Sequence, residues 1–121
     1  MIKGIGNDII EINRIEEAIK NKRFLQKYFT CKENMLFEDR NYQPQTIAGN
    51  FAVKEAVAKV LGTGFVGFSL IDIEVLRDEK GKPYVNLYNK AKEIASDINI
   101  TNIHVSLSHS RTNVVAVAVG E

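Results

Sequence analysis

The chain of 121 residues is 45% hydrophobic and 26% charged, the composition of one globular domain rather than of a disordered or fibrous chain. Its 16 basic and 15 acidic residues leave a formal net charge of +1, which excludes a whole-protein electrostatic grip on nucleic acid. A single cysteine, Cys31, excludes an internal disulfide, and no stretch reaches the length needed to span a bilayer.

The expectation is therefore a cytoplasmic protein in a reducing compartment, with neither nucleic acid nor membrane as partner. Residues 1–12 are apolar but broken by Asp8 and Glu11, unlike a secretory signal. A chain this short can bury a core but not a deep enclosed cleft, so a large ligand could need a second copy.

Residues 2–10 read as a strand. Lys3, Ile5, Asn7 and Ile9 point one way, and Ile2, Gly4, Gly6 and Asp8 point the other. The two glycines predict open space beside the Asp8 carboxylate, for close approach by a ligand or another backbone. Residues 11–21 predict a helix with Ile12, Ile15, Ala18 and Ile19 inward and Arg14, Glu17 and Lys20 outward. A second helix over 23–29 precedes a third that starts at Thr30, where Thr30 and Glu33 form a capping-box pattern. Residues 39–45, polar and carrying Pro44, predict a loop. The strongest helical pattern covers 45–61 and stops at Gly62, followed by a glycine-containing loop over 63–67.

Residues 70–77 alternate as a strand, 78–83 as a turn and 84–88 as the returning strand. A short helix over 89–97 follows. Segments 102–108 and 113–119 form a hairpin around Ser110, Arg111 and Thr112, and the run 114–119, apolar on both faces, predicts a central strand. The order of elements is that of an α+β fold, with one domain over residues 1–121.

The helix over 45–61 places Ala48, Phe51, Ala52, Glu55 and Ala58 in one sector, with Lys59 at its edge. A carboxylate amid that stripe is costly unless paired or bound to a metal. Spacing alone supports equally a surface ion pair between Glu55 and Lys59, worth about 0.2–0.5 kcal/mol, and a functional carboxylate. Asp8 reads either as a strand-end residue bonded to nearby amides or as a metal ligand. Two carboxylates from separate elements, with a lysine nearby, suit a magnesium ion shared between protein and phosphate. Ser108 and His109 end a strand. Adjacent strand residues point to opposite faces, which disfavours a Ser/His hydrolase pair, and His109 alone reads as a turn residue. The glycines around Gly62 and Gly81 read equally as turn punctuation.

Together, Gly4-Ile5-Gly6-Asn7-Asp8-Ile9-Ile10-Glu11-Ile12, Phe51-Ala52-Val53-Lys54-Glu55-Ala56-Val57-Ala58-Lys59, Gly62-Thr63-Gly64, Asp72-Ile73-Glu74 with Gly81-Lys82-Pro83, and Val105-Ser106-Leu107-Ser108-His109-Ser110 resemble, in that order, the holo-acyl-carrier-protein synthase family of short, trimeric 4'-phosphopantetheinyl transferases. The resemblance covers nearly the whole chain. It implies an antiparallel sheet packed on a long central helix, and a homotrimer with active sites at subunit interfaces. It implies transfer of 4'-phosphopantetheine from coenzyme A to a serine of apo-acyl carrier protein for fatty acid biosynthesis, with release of 3',5'-ADP.

The resemblance also implies the roles. Asp8 and Glu55 would hold Mg2+, and Lys59 would neutralise the transferring phosphate. Glu55, with Lys59 as the alternative, would take the serine proton. Lys59, Gly62, Gly64, Gly81, Lys82, Pro83, Ser108 and His109 would line the coenzyme A site, and Arg14 would dock the acidic carrier. One position departs from the family pattern: Asn50 stands where many relatives carry arginine, and Lys54, Arg40 or Lys82 are the cations that could compensate. A non-catalytic coenzyme A or nucleotide-binding module is the alternative reading.

Overall fold

The longest helix frames the rest. In the computed structural model, which describes residues 1–62 and 67–121, helix α4 spans Pro44–Leu61. Pro44 is its first residue, because a first-turn position needs no amide donor; the polar segment expected as loop thus gives its last two residues to the helix. Gly62 closes α4 in the left-handed conformation, with φ 77°, which glycine adopts without a Cβ clash. Beyond its first turn every residue of the helix except Phe51, Glu55 and Lys59 is buried. Ala48 and Ala52, expected beside Glu55 on one stripe, are fully buried. Glu55 therefore lies on the narrow wet edge of the helix, not in the middle of an apolar face.

Strand β1 (Gly4–Glu11) leads directly into helix α1 (Ile12–Ala18). Helices α2 (Lys22–Tyr28) and α3 (Cys31–Asp39) follow. Thr30 and Glu33 form the expected capping box at the start of α3. The expected strand over 70–77 is shorter: Leu70–Asp72 is a 3-10 turn in which Ser69 and Asp72 bond reciprocally, and β2 is Ile73–Arg77. Strand β3 (Pro83–Leu87), helix α5 (Asn89–Asp97), and strands β4 (Ile103–His109) and β5 (Asn113–Gly120) complete the chain. The fold is α+β.

Both sheets are antiparallel. One has the order β1-β5-β4, and the other is the β2-β3 hairpin. The two-faced apolar run of β5 does occupy the centre of its sheet. Inward side chains Ile10, Val114, Ala116 and Ala118 are buried against α4. The opposite face carries Ile5, Ile9, Val115 and Val117, which are 70%, 66%, 44% and 37% exposed.

The parity expected for β1 holds, but the two glycines do not leave a void. A Cβ on Gly4 would stand 2.7 Å from the Val60 carbonyl oxygen, and one on Gly6 would overlap the Ala56 carbonyl. The backbone of α4 fills the space. Glycine here permits strand and helix to touch.

A buried polar cluster ties α3, α4 and β2 together. The Lys54 ammonium lies 2.7 Å from Glu33 Oε1, and both side chains are fully buried. Lys54 also donates to the carbonyls of Leu70 and Ile73. The Asn50 amide donates to Glu33 Oε2 at 3.0 Å and to the Val75 carbonyl at 2.9 Å. Burial pushes the Glu33 carboxyl up and the Lys54 ammonium down, and the attraction between them opposes both shifts. No described helix is long and apolar enough to cross a membrane.

Lys54→Met would leave the Glu33 carboxylate buried without its counter-charge. We expect a loss of about 3–5 kcal/mol in chemical denaturation. Pairing it with Glu33→Gln should lose less than the sum of the single changes; strict additivity would show that the two groups do not interact.

Candidate functional site

The contact of β1 with α4 brings the two predicted carboxylates to one place. Asp8 follows Gly4 and Gly6 on the inward parity of β1, where the strand runs past the solvent edge of the helix. Glu55 and Lys59 occupy that edge one turn apart. The Lys59 ammonium lies 3.8 Å from Asp8 Oδ1 and donates at 2.7 Å to the Asn7 carbonyl. Asp8 and Glu55 line one cavity of about 340 Å³, together with Arg14, Ile15, Phe24 and Phe51. A second cavity of about 350 Å³ shares Glu55 and Phe51 and is walled by Tyr28, Phe68 and Leu70. Phe24 stacks on Phe51 at 5.9 Å between ring centroids, so Glu55 stands beside an aromatic floor. A larger cavity of about 460 Å³ between β3, α5 and β4 contains no carboxylate; size does not locate the chemistry here.

The electrostatics of the cluster are asymmetric. Burial raises the pKa of both carboxyls, and the Asp8 charge raises that of Glu55 further. Lys59 lowers both. Asp8 and Glu55, both partly buried, share Lys59 as the ammonium that lowers both pKa values, and a proton or a bound cation would relieve the repulsion between them. Hard oxygen donors of this kind fit Mg2+. No group of three or more potential ligands exists among the described residues. Two protein oxygens suit an ion that completes its coordination with waters and ligand phosphates.

The remaining sequence-predicted residues divide between places. Arg14 lies in the cavity of Asp8 and Glu55. Gly62 caps α4 three residues beyond Lys59; Gly64, with residues 63–66 of the loop expected over 63–67, lies outside the described residues. Gly81, Lys82 and Pro83 sit at the β2–β3 turn, where Asp78 Oδ1 accepts from the amides of Lys80 at 2.8 Å and Lys82 at 2.9 Å. Ser108 and His109 end β4. The His109 ring Nε2 lies 3.0 Å from the Gln45 amide nitrogen. From Gln45 to Glu55 the helix rises about 15 Å, so one chain does not bring His109 onto the acidic cluster.

Two sequence expectations about charge are corrected. Lys54, a candidate to compensate for Asn50, is sealed in the core by Glu33 and two carbonyls. Asn50 is itself fully buried and turned towards Glu33 and β2. Their spacing of four residues was the available signal: two polar residues on one side of a helix, among apolar neighbours, ask for a buried partner. The aromatic wall joins Phe24 and Tyr28 of α2 to Phe68, and no local pattern links those two segments.

A family model described as the 4'-phosphopantetheinyl transferase superfamily matches residues 4–118. The chain is 53% identical to the holo-[acyl-carrier-protein] synthase of Alkaliphilus oremlandii, over 98% of each protein. Among solved structures, it is similar to the Helicobacter pylori holo-[acyl-carrier-protein] synthase in complex with coenzyme A, with 34% identity, a TM-score of 0.84, and coverage of 97% of this chain and 99% of that one. It is also similar to the Bacillus anthracis holo-(acyl-carrier-protein) synthase in complex with CoA (3',5'-ADP), with 36% identity, a TM-score of 0.83, and coverage of 100% and 97%.

Gly6→Ala should push β1 off α4 and so part Asp8 from Glu55. We expect a stability loss of about 1–3 kcal/mol, measured by denaturant unfolding. Gly49→Ala is the control, because its Cβ would meet nothing nearer than 3.6 Å. Equal behaviour of the two variants would remove the close-approach argument.

Proposed function

This chain belongs to the 4'-phosphopantetheinyl transferase superfamily, and we propose on that basis that it is a holo-acyl-carrier-protein synthase. It transfers the 4'-phosphopantetheine group of coenzyme A to a serine of apo-acyl carrier protein. The observation that carries the site assignment is that Asp8 and Glu55 share one cavity with Arg14, with the Lys59 ammonium 3.8 Å from Asp8.

In this reading Asp8 and Glu55 hold Mg2+, which when bound supplies electrostatic stabilisation of the phosphoryl oxygens. Lys59, about half exposed at the mouth of the cluster, neutralises negative charge on the group being transferred. Glu55 takes the hydroxyl proton of the attacking serine. The serine oxygen bonds to phosphorus, the bond from phosphorus to the bridging pyrophosphate oxygen breaks, and 3',5'-ADP leaves. Arg14 places positive charge beside the cluster, where an acidic carrier can dock. Lys59, the Gly62 and Gly64 loop, the Gly81-Lys82-Pro83 turn, and Ser108 with His109 line the coenzyme A site.

The separation of His109 from Glu55 along α4 supports sites completed by a second copy. The exposed apolar face of Ile5, Ile9, Val115 and Val117 is the surface through which three chains would pack, since an open patch of this kind marks an interaction site. Residues 1–121 would then act as a single transferase domain of a cytoplasmic homotrimer, serving fatty acid biosynthesis.

A transfer assay with coenzyme A, apo carrier and Mg2+ tests the catalytic reading. Glu55→Gln should reduce turnover by about 100-fold or more, and Arg14→Glu should raise the carrier KM about tenfold with little change in the coenzyme A KM. Near-normal turnover in the first variant would remove Glu55 from the mechanism, and an unchanged carrier KM in the second would remove Arg14 from docking. Light scattering should give three times the chain mass, falling to that of the single chain in Val117→Glu. A monomeric wild type would sink the trimer.

A further inference from the structure

The cavity of about 460 Å³ between β3, α5 and β4 shares no lining residue with either cavity at Glu55. The strand order explains why it is open. β3 is an edge of one sheet and β4 an edge of the other, and no ladder joins them. Val85 and Leu87 of β3 and Ile103 of β4 line the gap between those edges. The end of α5 closes it from below. Asn99 takes the left-handed conformation, with φ 61°, and the amides of Asn99 and Ile100 donate back to the carbonyls of Ser96 at 3.0 Å and Ala95 at 2.8 Å. This Schellman closure brings Ile100, buried like Ala95, to the cavity wall.

The charge of the lining is one-sided. Lys92 and Ser96, one turn apart on the same face of α5, both line the cavity. Lys92 is the one charged residue among its described lining residues. Among the described residues its ammonium forms no ion pair, and the Ser96 hydroxyl makes no hydrogen bond. The acid next to it in sequence, Glu93, is 3.9 Å from the Lys90 ammonium instead. An apolar wall with an unpaired ammonium and a free hydroxyl at one end has the makeup of a small-ligand site, which typically holds about 300–1,000 Å³.

We propose that this cavity binds a small amphipathic monocarboxylate, at a place separate from the coenzyme A site. Lys92 and the Ser96 hydroxyl hold the carboxylate, and the apolar tail lies along Val85, Ile100 and Ile103. A single ammonium matches a single negative charge. A dianion would keep unneutralised charge near the negative C-terminal end of the α5 dipole. The same dipole sets the direction, with the head at Lys92 and the tail towards Ile100. The inference stands apart from the transferase reading.

Octanoate is the probe. Titration calorimetry and ligand-observed NMR on the full chain should give a Kd of about 1 mM or tighter. Octanamide, of the same length but uncharged, should bind about fivefold more weakly, and Lys92→Gln should weaken octanoate by a similar factor. Lys92→Arg should retain binding. Ser96→Trp, at an exposed position, should fill the cavity mouth and abolish binding, and the Lys92 variants keep the test open should it fold poorly. Saturating coenzyme A should leave octanoate bound. Absence of binding to wild type would overturn the inference, as would affinity unchanged in Lys92→Gln or in folded Ser96→Trp, which would move the probe to another surface. Displacement by coenzyme A would also overturn it, by putting octanoate in the donor site.

Discussion

Strand β1 lies against helix α4 with backbone touching backbone, because Gly4 and Gly6 carry no side chains. The site depends on that contact. Asp8 is two residues beyond Gly6 on the same face of the strand, and Glu55 and Lys59 flank Ala56, whose carbonyl Gly6 meets. A strand and helix separated by ordinary side chains would stand farther apart. The carboxylates would then not feel each other, and Lys59 would not reach the Asn7 carbonyl. Close packing here determines charge geometry, and charge geometry determines what the site can bind.

Helix α4 distributes its polar residues by direction. Lys54 and Glu55 are consecutive, so they point about 100° apart. One enters the core and becomes the hub that joins α3, the turn Leu70–Asp72 and β2. The other stays at the wet edge with a raised pKa. The buried pair holds in place the segment that supplies Phe68 and Leu70 to the cavity beside Glu55. Towards the helix start, Gln45 and Gly49 face β4 and β2 and meet His109 and Arg77. One element thus serves an acidic cluster, a structural ion pair and a cationic corner. A helix can keep them apart because successive residues leave it in different directions.

The sheet has the same division of labour. Its inner face is made of small and branched residues that fit α4, and its outer face carries Ile5, Ile9, Val115 and Val117 into solvent. An apolar outer face on an otherwise charged small chain fits a subunit better than a solitary domain.

The sequence by itself determined most of the elements, the α+β class, the parity of β1, the capping box at Thr30, the end of α4 at Gly62 and the central place of β5. Each is encoded by residues within a few positions of one another, through periodicity, caps or the reach of a side chain. Family-specific motifs also singled out Asp8, Glu55 and Lys59, which the fold brings close together. Only the tertiary structure decided that the glycines of β1 are filled by helix rather than by ligand. It likewise decided that Lys54 and Asn50 belong to Glu33 and that Arg77 lies over Gly49. Those outcomes depend on which distant segment arrives to occupy a space or neutralise a charge, and the free energy of burying a polar group is set by that partner rather than by its sequence neighbours.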